Sequence, residues 1–255
     1  MFGRFERVLL DIVFSRLDRF SSVFRETTVV DVGANIGNHS LYFAQRFGQV
    51  CAIEASPKTF ELLSFNIRHS GYSNITPIQR ALGESSGKLM FAEHLNEAGR
   101  SGVVDPASKM SDVLREQAEH IFEVEVEAGD SVLSHRSMLP VSLIKIDVEG
   151  FERSVIKGLK STIKRFHPMI LIEQLASEVQ TGTTETVELL RQFGYDEFYS
   201  PESHNKLRNR RVRLLSKLLW GDTVDLKAID SFSPKHYPMV LCCASSSAFS
   251  LKGIA

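Results

Sequence analysis

Two short strings of the chain carry side chains that could do chemistry. VVDVGANIGNHS (29–40) sets Asp31 at the end of an apolar run, Gly33, Asn35 and Gly37 in the loop behind it, and Asn38 and His39 where a helix would begin. VSLIKIDVEG (141–150) sets Lys145, Asp147 and Glu149 at the end of another apolar run, with Glu152 close behind. Both read as strand, turn, helix. Glycine in such a turn allows positive φ and lets backbone approach a ligand closely. The helix that follows turns its free amides and positive end toward the loop, which suits a carboxylate. Asp31 offers a partner for an ammonium group. A third run, QVCAIEA (49–55), ends in Glu54 and Ala55, about twenty residues after the first glycine. A carboxylate in that place can accept both hydroxyls of a ribose. The three pieces together imply a nucleoside cofactor with an amino-acid end, which describes S-adenosylmethionine. A dinucleotide would call for G-x-G-x-x-G; here Ala34, Asn35 and Ile36 separate Gly33 from Gly37.

The acceptor half of such a site is expected on the same rim. Open α/β sheets bind ligands at the carboxyl ends of their strands. Asp31, Glu54, Asp147 and, from PMILIEQL (168–175), Glu173 should therefore face one edge. So many carboxylates are costly without a cationic ligand or displaced pKa values. A sulfonium supplies such a charge. Asp147 is the first candidate for a general base, with Glu149, Glu173 and His39 behind it. Structural alternatives stand beside these roles: a bond from Asp147 to Lys145 or to a loop amide, and a helix-start contact to the cofactor for His39. Asp147, Glu149 and Glu173 are hard oxygen ligands, but no metal is expected. The other histidines, His236 among them, show no ligand spacing and read as surface or loop residues.

These residues need a scaffold of alternating strands and helices. Strands are expected at 28–32, 49–55, 74–82, 88–93, 122–128, 141–148, 168–175 and 236–245, with helices at 39–47, 58–70, 151–166 and 183–193. Gly99–Ser111 reads as a polar loop. The alternation predicts an α/β fold, a mostly parallel sheet with helices on both faces. Residues 1–27 read as an amphipathic helix packing on the core, and 28–255 as one domain with an insertion or lid at about 200–235. A length of 255 residues supports one large core. A net charge of -1 argues against a nucleic-acid partner. Three cysteines without metal spacing suggest a reducing compartment. No signal peptide or apolar span is visible, so the expected location is cytoplasmic. The basic segment 204–217 leaves three readings: a solvated face, a contact to an acidic acceptor, or peripheral contact with the inner membrane surface. The sequence leaves the oligomeric state undetermined.

In order and spacing, VVDVGANIGNHS, VCAIEASP, NITPIQRALGESSG, VSLIKIDVEGFERSVIKG and HPMILIEQ resemble the FkbM family of methyltransferases over roughly residues 28–175. The resemblance implies a Rossmann-like class I methyltransferase fold, with a seven-stranded sheet whose last strand is antiparallel. It also implies S-adenosylmethionine as cofactor and O-methylation of a hydroxyl on a sugar, glycolipid or secondary metabolite. The acceptor would then be a small molecule or a glycan- or lipid-linked group. The resemblance supports Asp31, Gly33, Asn35, Gly37 and Glu54 near the ligands, with Asp130 or Asp147. Where relatives often carry Leu-Asp-Asp, this chain has Gly129-Asp130-Ser131, so only Asp130 matches. Two other classes remain for comparison: an NAD(P)-dependent oxidoreductase, and an inactive cofactor-binding module at a membrane surface.

Overall fold

The structure is a computed structural model that describes residues 2–94, 101–104, 115–116, 118–134, 136, 138–203 and 224–252. The chain opens with α1 (Phe2–Arg16), a 3-10 turn and α2 (Ser21–Phe24). It continues through β1 (Thr28–Val32), α3 (Asn38–Ala44), β2 (Gln49–Glu54), α4 (Pro57–Ser70) and β3 (Ile75–Gln79). Next come β4 (Ala81–Gly83), β5 (Gly87–Glu93), β6 (Gly102–Val104), β7 (His120–Ala128) and α5 (Gly129–Ser134). The remainder is β8 (Val141–Ile146), α6 (Glu152–Gly158), α7 (Lys160–Phe166), β9 (Met169–Gln174), α8 (Glu185–Gln192), β10 (Glu197–Ser203), β11 (Val224–Ala228) and β12 (Tyr237–Cys243).

Eight strands form the main sheet, in the order β11-β10-β12-β9-β8-β1-β2-β3. From β3 to β9 every pairing is parallel, while β12 runs antiparallel to both β9 and β10. Seven of the strands make the expected sheet, and β11 adds an eighth, antiparallel to β10. Helix α4 shows how local chemistry sets these elements. The Ser56 hydroxyl accepts from Thr59 N at its start, Pro57 fills the first turn, and Gly71 closes it at φ 78°.

Period-two alternation splits the core. Val30, Val32, Ile144, Ile146, Ile170 and Ile172 belong to one apolar cluster, with helix residues Val155, Ile156, Ile163 and Leu190. Val29, Leu143, Met169 and Leu171 belong to the other, with Leu10, Val13, Phe14 and Leu17 of the N-terminal segment and Phe43 of α3. So α1 packs on the sheet, and two arginines of the N-terminal segment are tied down, one at the end of α1 and one in the 3-10 turn after it. Arg16 Nε donates to Asp225 Oδ1 at 2.8 Å and Arg19 to Ser250 O at 2.6 Å.

Three segments depart from the sequence expectation. The strand expected at 74–82 breaks at Arg80: β3 stays in the main sheet and β4 enters a second sheet, β4-β7-β5-β6. The polar loop expected at 99–111 contains β6, paired with β5. The described parts of the expected lid at 200–235 include β10 and β11, at the sheet edge. The basic segment 204–217 lies outside the described residues.

The second sheet is held to the main body at a backbone contact. A Cβ on Gly158 would lie 1.8 Å from Gly83 O, whereas one on Gly87 would meet nothing within 4 Å. Gly158→Ala should therefore destabilise the chain by about 1–3 kcal/mol, and Gly87→Ala by less than about 0.5 kcal/mol. Chemical denaturation of both variants reads the contrast; equal midpoints would contradict the packing.

Candidate active site

Strand register builds the site in two rows. Asp31 of β1 pairs with Lys145 of β8, and Val32 with Ile146. Val32 also pairs with Ile53 of β2, and Ile146 with Ile172 of β9. One step further, Gly33, Glu54, Asp147 and Glu173 share a level at the carboxyl rim. The sequence placed all four carboxylates there; the structure sets Asp31 one row deeper, fully buried.

That deeper row holds a buried cation. Lys145 Nζ donates to Gly33 O at 2.9 Å and lies 3.4 Å from Asp31 Oδ1 and 3.2 Å from Asp147 Oδ2. Burial alone would lower the ammonium's pKa, but Asp147 and Asp31 outweigh it and raise it. Asp31 Oδ2 accepts from Ser40 Oγ at 2.6 Å. The negative charge of Asp31 is thus answered inside the protein.

In the upper row, Glu54 is buried, which raises its pKa against the amides of Ser56 and Asn35. Ser56 N donates to Oε1 and Asn35 N to Oε2, both at 2.9 Å. A carboxylate has about four acceptor positions, so each oxygen keeps capacity toward the cavity. That cavity is lined by Gly33, Asn35, Glu54, Ala55, Asp147 and Glu149, among others. Asn35 Oδ1 is buried there with no hydrogen-bond partner. The donor set the cavity asks for is a pair of hydroxyls and an N–H group, which the ribose and ammonium of S-adenosylmethionine would bring.

The opposite wall was not legible in the sequence. Arg80, Leu82, Phe91, Ser101, Gly102 and Val103 come from the second sheet and its approaches. They sit on short or interrupted strands and match no motif. Gly37, at φ 95°, precedes α3 and shapes the loop. Asn38 and His39 line a different cavity, with Arg7 and Tyr42. Burial, then Lys145, pushes His39 down to about 4, so its imidazole is a weak base. Asp130 is engaged elsewhere: it accepts from Ser161 N at 2.7 Å and from Thr162 N at 2.9 Å, capping α7.

The remaining rim carboxylates divide by charge state. Burial raises Asp147, but the Lys145 charge overrides it and the net shift is downward. Glu173 is pushed up to about 9 by burial and by Asp147, Glu149 and Glu152. Glu152, raised to about 7 by burial, accepts from Val148 N and Gly150 N, both at 3.2 Å, and so staples the turn. Glu149 sits in that turn at φ 53°. Oxygens of Asp147, Glu149 and Glu173 come within 4.8 Å of one another, a spacing also common at acidic rims that hold no ion.

The strand order and the rim pocket define a class I methyltransferase fold. The chain belongs to the methyltransferase FkbM domain family, whose model matches residues 31–197. The family's cofactor is S-adenosylmethionine. Methyltransferase 1 of Beauveria bassiana (strain ARSEF 2860) is 26% identical over 174 residues, 64% of this chain and 70% of that protein. Hexuronic acid methyltransferase AglP of Haloferax volcanii is 26% identical over 166 residues, 61% of this chain and 64% of that one. The crystal structure of methyltransferase FkbM from Methylobacillus flagellatus KT matches with a TM-score of 0.47 at 17% identity, covering 86% of this chain and 44% of that one. The family leaves no ground for the dinucleotide oxidoreductase.

A raised carboxyl pKa has a sign. The stability it contributes is complete below the ordinary value of 4.5 and is lost as pH climbs toward about 9. Glu173→Gln keeps neutral hydrogen-bonding groups but cannot ionise. Its melting temperature relative to wild type should therefore rise between pH 5 and pH 9, by roughly 2–4 °C for each kcal/mol relieved. A difference that stays flat with pH would contradict the assignment.

Proposed function

We propose that this chain is an S-adenosylmethionine-dependent O-methyltransferase acting on a hydroxyl of a sugar, glycolipid or secondary metabolite. The observation that carries the reading is one cavity whose lining includes both the pair Glu54 and Asn35 and the pair Asp147 and Glu149. The first pair would hold the nucleoside and amino-acid ends of the cofactor. The second pair faces an acceptor. When bound, the cofactor supplies an electrophilic methyl group on a sulfonium. The protein's part is to align the acceptor oxygen and receive its proton. Asp147 would take that role, a reading supported by Lys145, which favours its ionised form. The crowd of carboxylates favours an uncharged reacting group over an anionic one. The name of the Haloferax relative, a hexuronic acid methyltransferase, supports a carbohydrate hydroxyl. A cytoplasmic location, with peripheral membrane contact through the basic segment, remains part of the proposal. No helix among the described residues is long and apolar enough to cross a membrane.

Labelled-methyl transfer from S-adenosylmethionine tests this reading. The acceptor panel comprises alkyl glycosides, hexuronosides, glycolipid vesicles and polyketide alcohols. Label is expected in an ether of at least one; label on none, or on nitrogen or carbon, would overturn it. Asp147→Asn, which keeps an oxygen for Lys145, should lower kcat by about 10²–10⁴-fold while cofactor binding persists. Unchanged turnover would remove Asp147 from the mechanism.

A further inference from the structure

His236 stands immediately before β12, and its side chain is 52% exposed. Its Nε2 meets Glu173 Oε1. A carboxylate oxygen of Glu173 in turn lies within 4.8 Å of one of Asp147, which lines the cavity. A line of proton-bearing groups thus runs from the cavity wall to solvent. A contact exposed on its His236 side contributes little to stability, so folding alone gives no strong reason for it.

The reaction proposed above must dispose of a proton. As the acceptor oxygen takes the methyl carbon, the carbon–sulfur electron pair stays on sulfur, and the O–H bond gives up H⁺. Asp147 can receive that proton, but each turnover requires it to leave again. We propose that His236 is a positioning residue that acts through Glu173, holding it against Asp147 and passing the acceptor's proton to water. The inference rests on the methyl-transfer reading.

The raised Glu173 and lowered Asp147 fit a pair that holds one proton between turnovers. A second proton arrives on Asp147 from the hydroxyl. Glu173 then gives one to His236 Nε2, and the imidazolium releases another to water from Nδ1. The pair ends with one proton and water carries the difference; the neutral imidazole, now protonated on Nε2, regains its Nδ1–H tautomer by proton exchange with water before the next turnover. The charged groups around this line are few. Glu173 faces Asp147 and Glu149 from the turn after β8 and Glu152 from α6. Beside His236, Lys235 is occupied by Glu202 of β10. Lys145 approaches only from the Asp147 side.

The full chain and three variants, His236→Ala, Glu173→Gln and the double variant, test the proposal in two assays. The first is turnover against pH, using the acceptor that scores in the panel. His236→Ala should lower kcat by about 10–100-fold, shift the pH profile, and leave the melting temperature and calorimetric cofactor affinity unchanged. Added imidazole should restore part of the rate. Glu173→Gln should lower kcat to a similar extent, and the double variant should lose no more than the worse single variant. The second is the imidazole ¹⁵N spectrum of the cofactor-free chain, in which the His236 Nε2 resonance should move on Glu173→Gln. Wild-type turnover with an unaffected His236→Ala overturns the relay and leaves methyl transfer standing. Absence of wild-type transfer to every acceptor overturns the functional reading. An unmoved His236 resonance overturns the relay whatever the turnover shows.

Discussion

One buried ammonium group organises this molecule's rim. Lys145 sits inside an otherwise apolar strand and reaches three partners on two neighbouring segments: Asp31, Gly33 O and Asp147. A charge taken out of water is tolerated only when paired and hydrogen-bonded. Removing one side of such a pair costs about 3–5 kcal/mol, so its geometry is strongly enforced. Through Gly33 it fixes the loop that would face the cofactor. Through Asp147 it favours the ionised form of the carboxylate proposed to face the acceptor. The two halves of the site are therefore mechanically one.

The sheet makes that coupling possible. In-register parallel pairing puts Asp31 beside Lys145, and period-two alternation puts Gly33 and Asp147 directly above them. The same alternation sends Val30 and Ile144 to one apolar cluster, and Val29 and Leu143 to the other. The second sheet then closes the cavity from the opposite side, with Phe91 and Val103 in its wall.

Much of this could be read from the chain itself, because strong local signals carry it. The Gly33/Gly37 loop, Glu54 at a strand end and the IKIDVEG string each combine a period with a turn. The acidic rim followed from the rule that ligands sit at the carboxyl ends of strands. What the sequence concealed depends on long-range pairing. Strand β6 is three residues long and exists because β5 lies beside it. Arg80 reads as mid-strand, yet the chain changes sheets there. Asp130 matched a family position, but its oxygens are spent on α7. Asp31 reads as a partner for an ammonium group, and the structure sets the Lys145 ammonium 3.4 Å from its Oδ1. His236 carried no spacing at all, since only the antiparallel β12 returns it to Glu173.

The central claim is that the cavity beside Glu54 takes S-adenosylmethionine. Calorimetric titration of that cofactor into the wild-type chain and into Glu54→Ala tests it most directly. Loss of charge-assisted hydrogen bonds worth about 1.5–3 kcal/mol should weaken binding by roughly 10- to 150-fold, with the wild type binding saturably at one site. No heat from the wild type, or equal affinity in the variant, would contradict it.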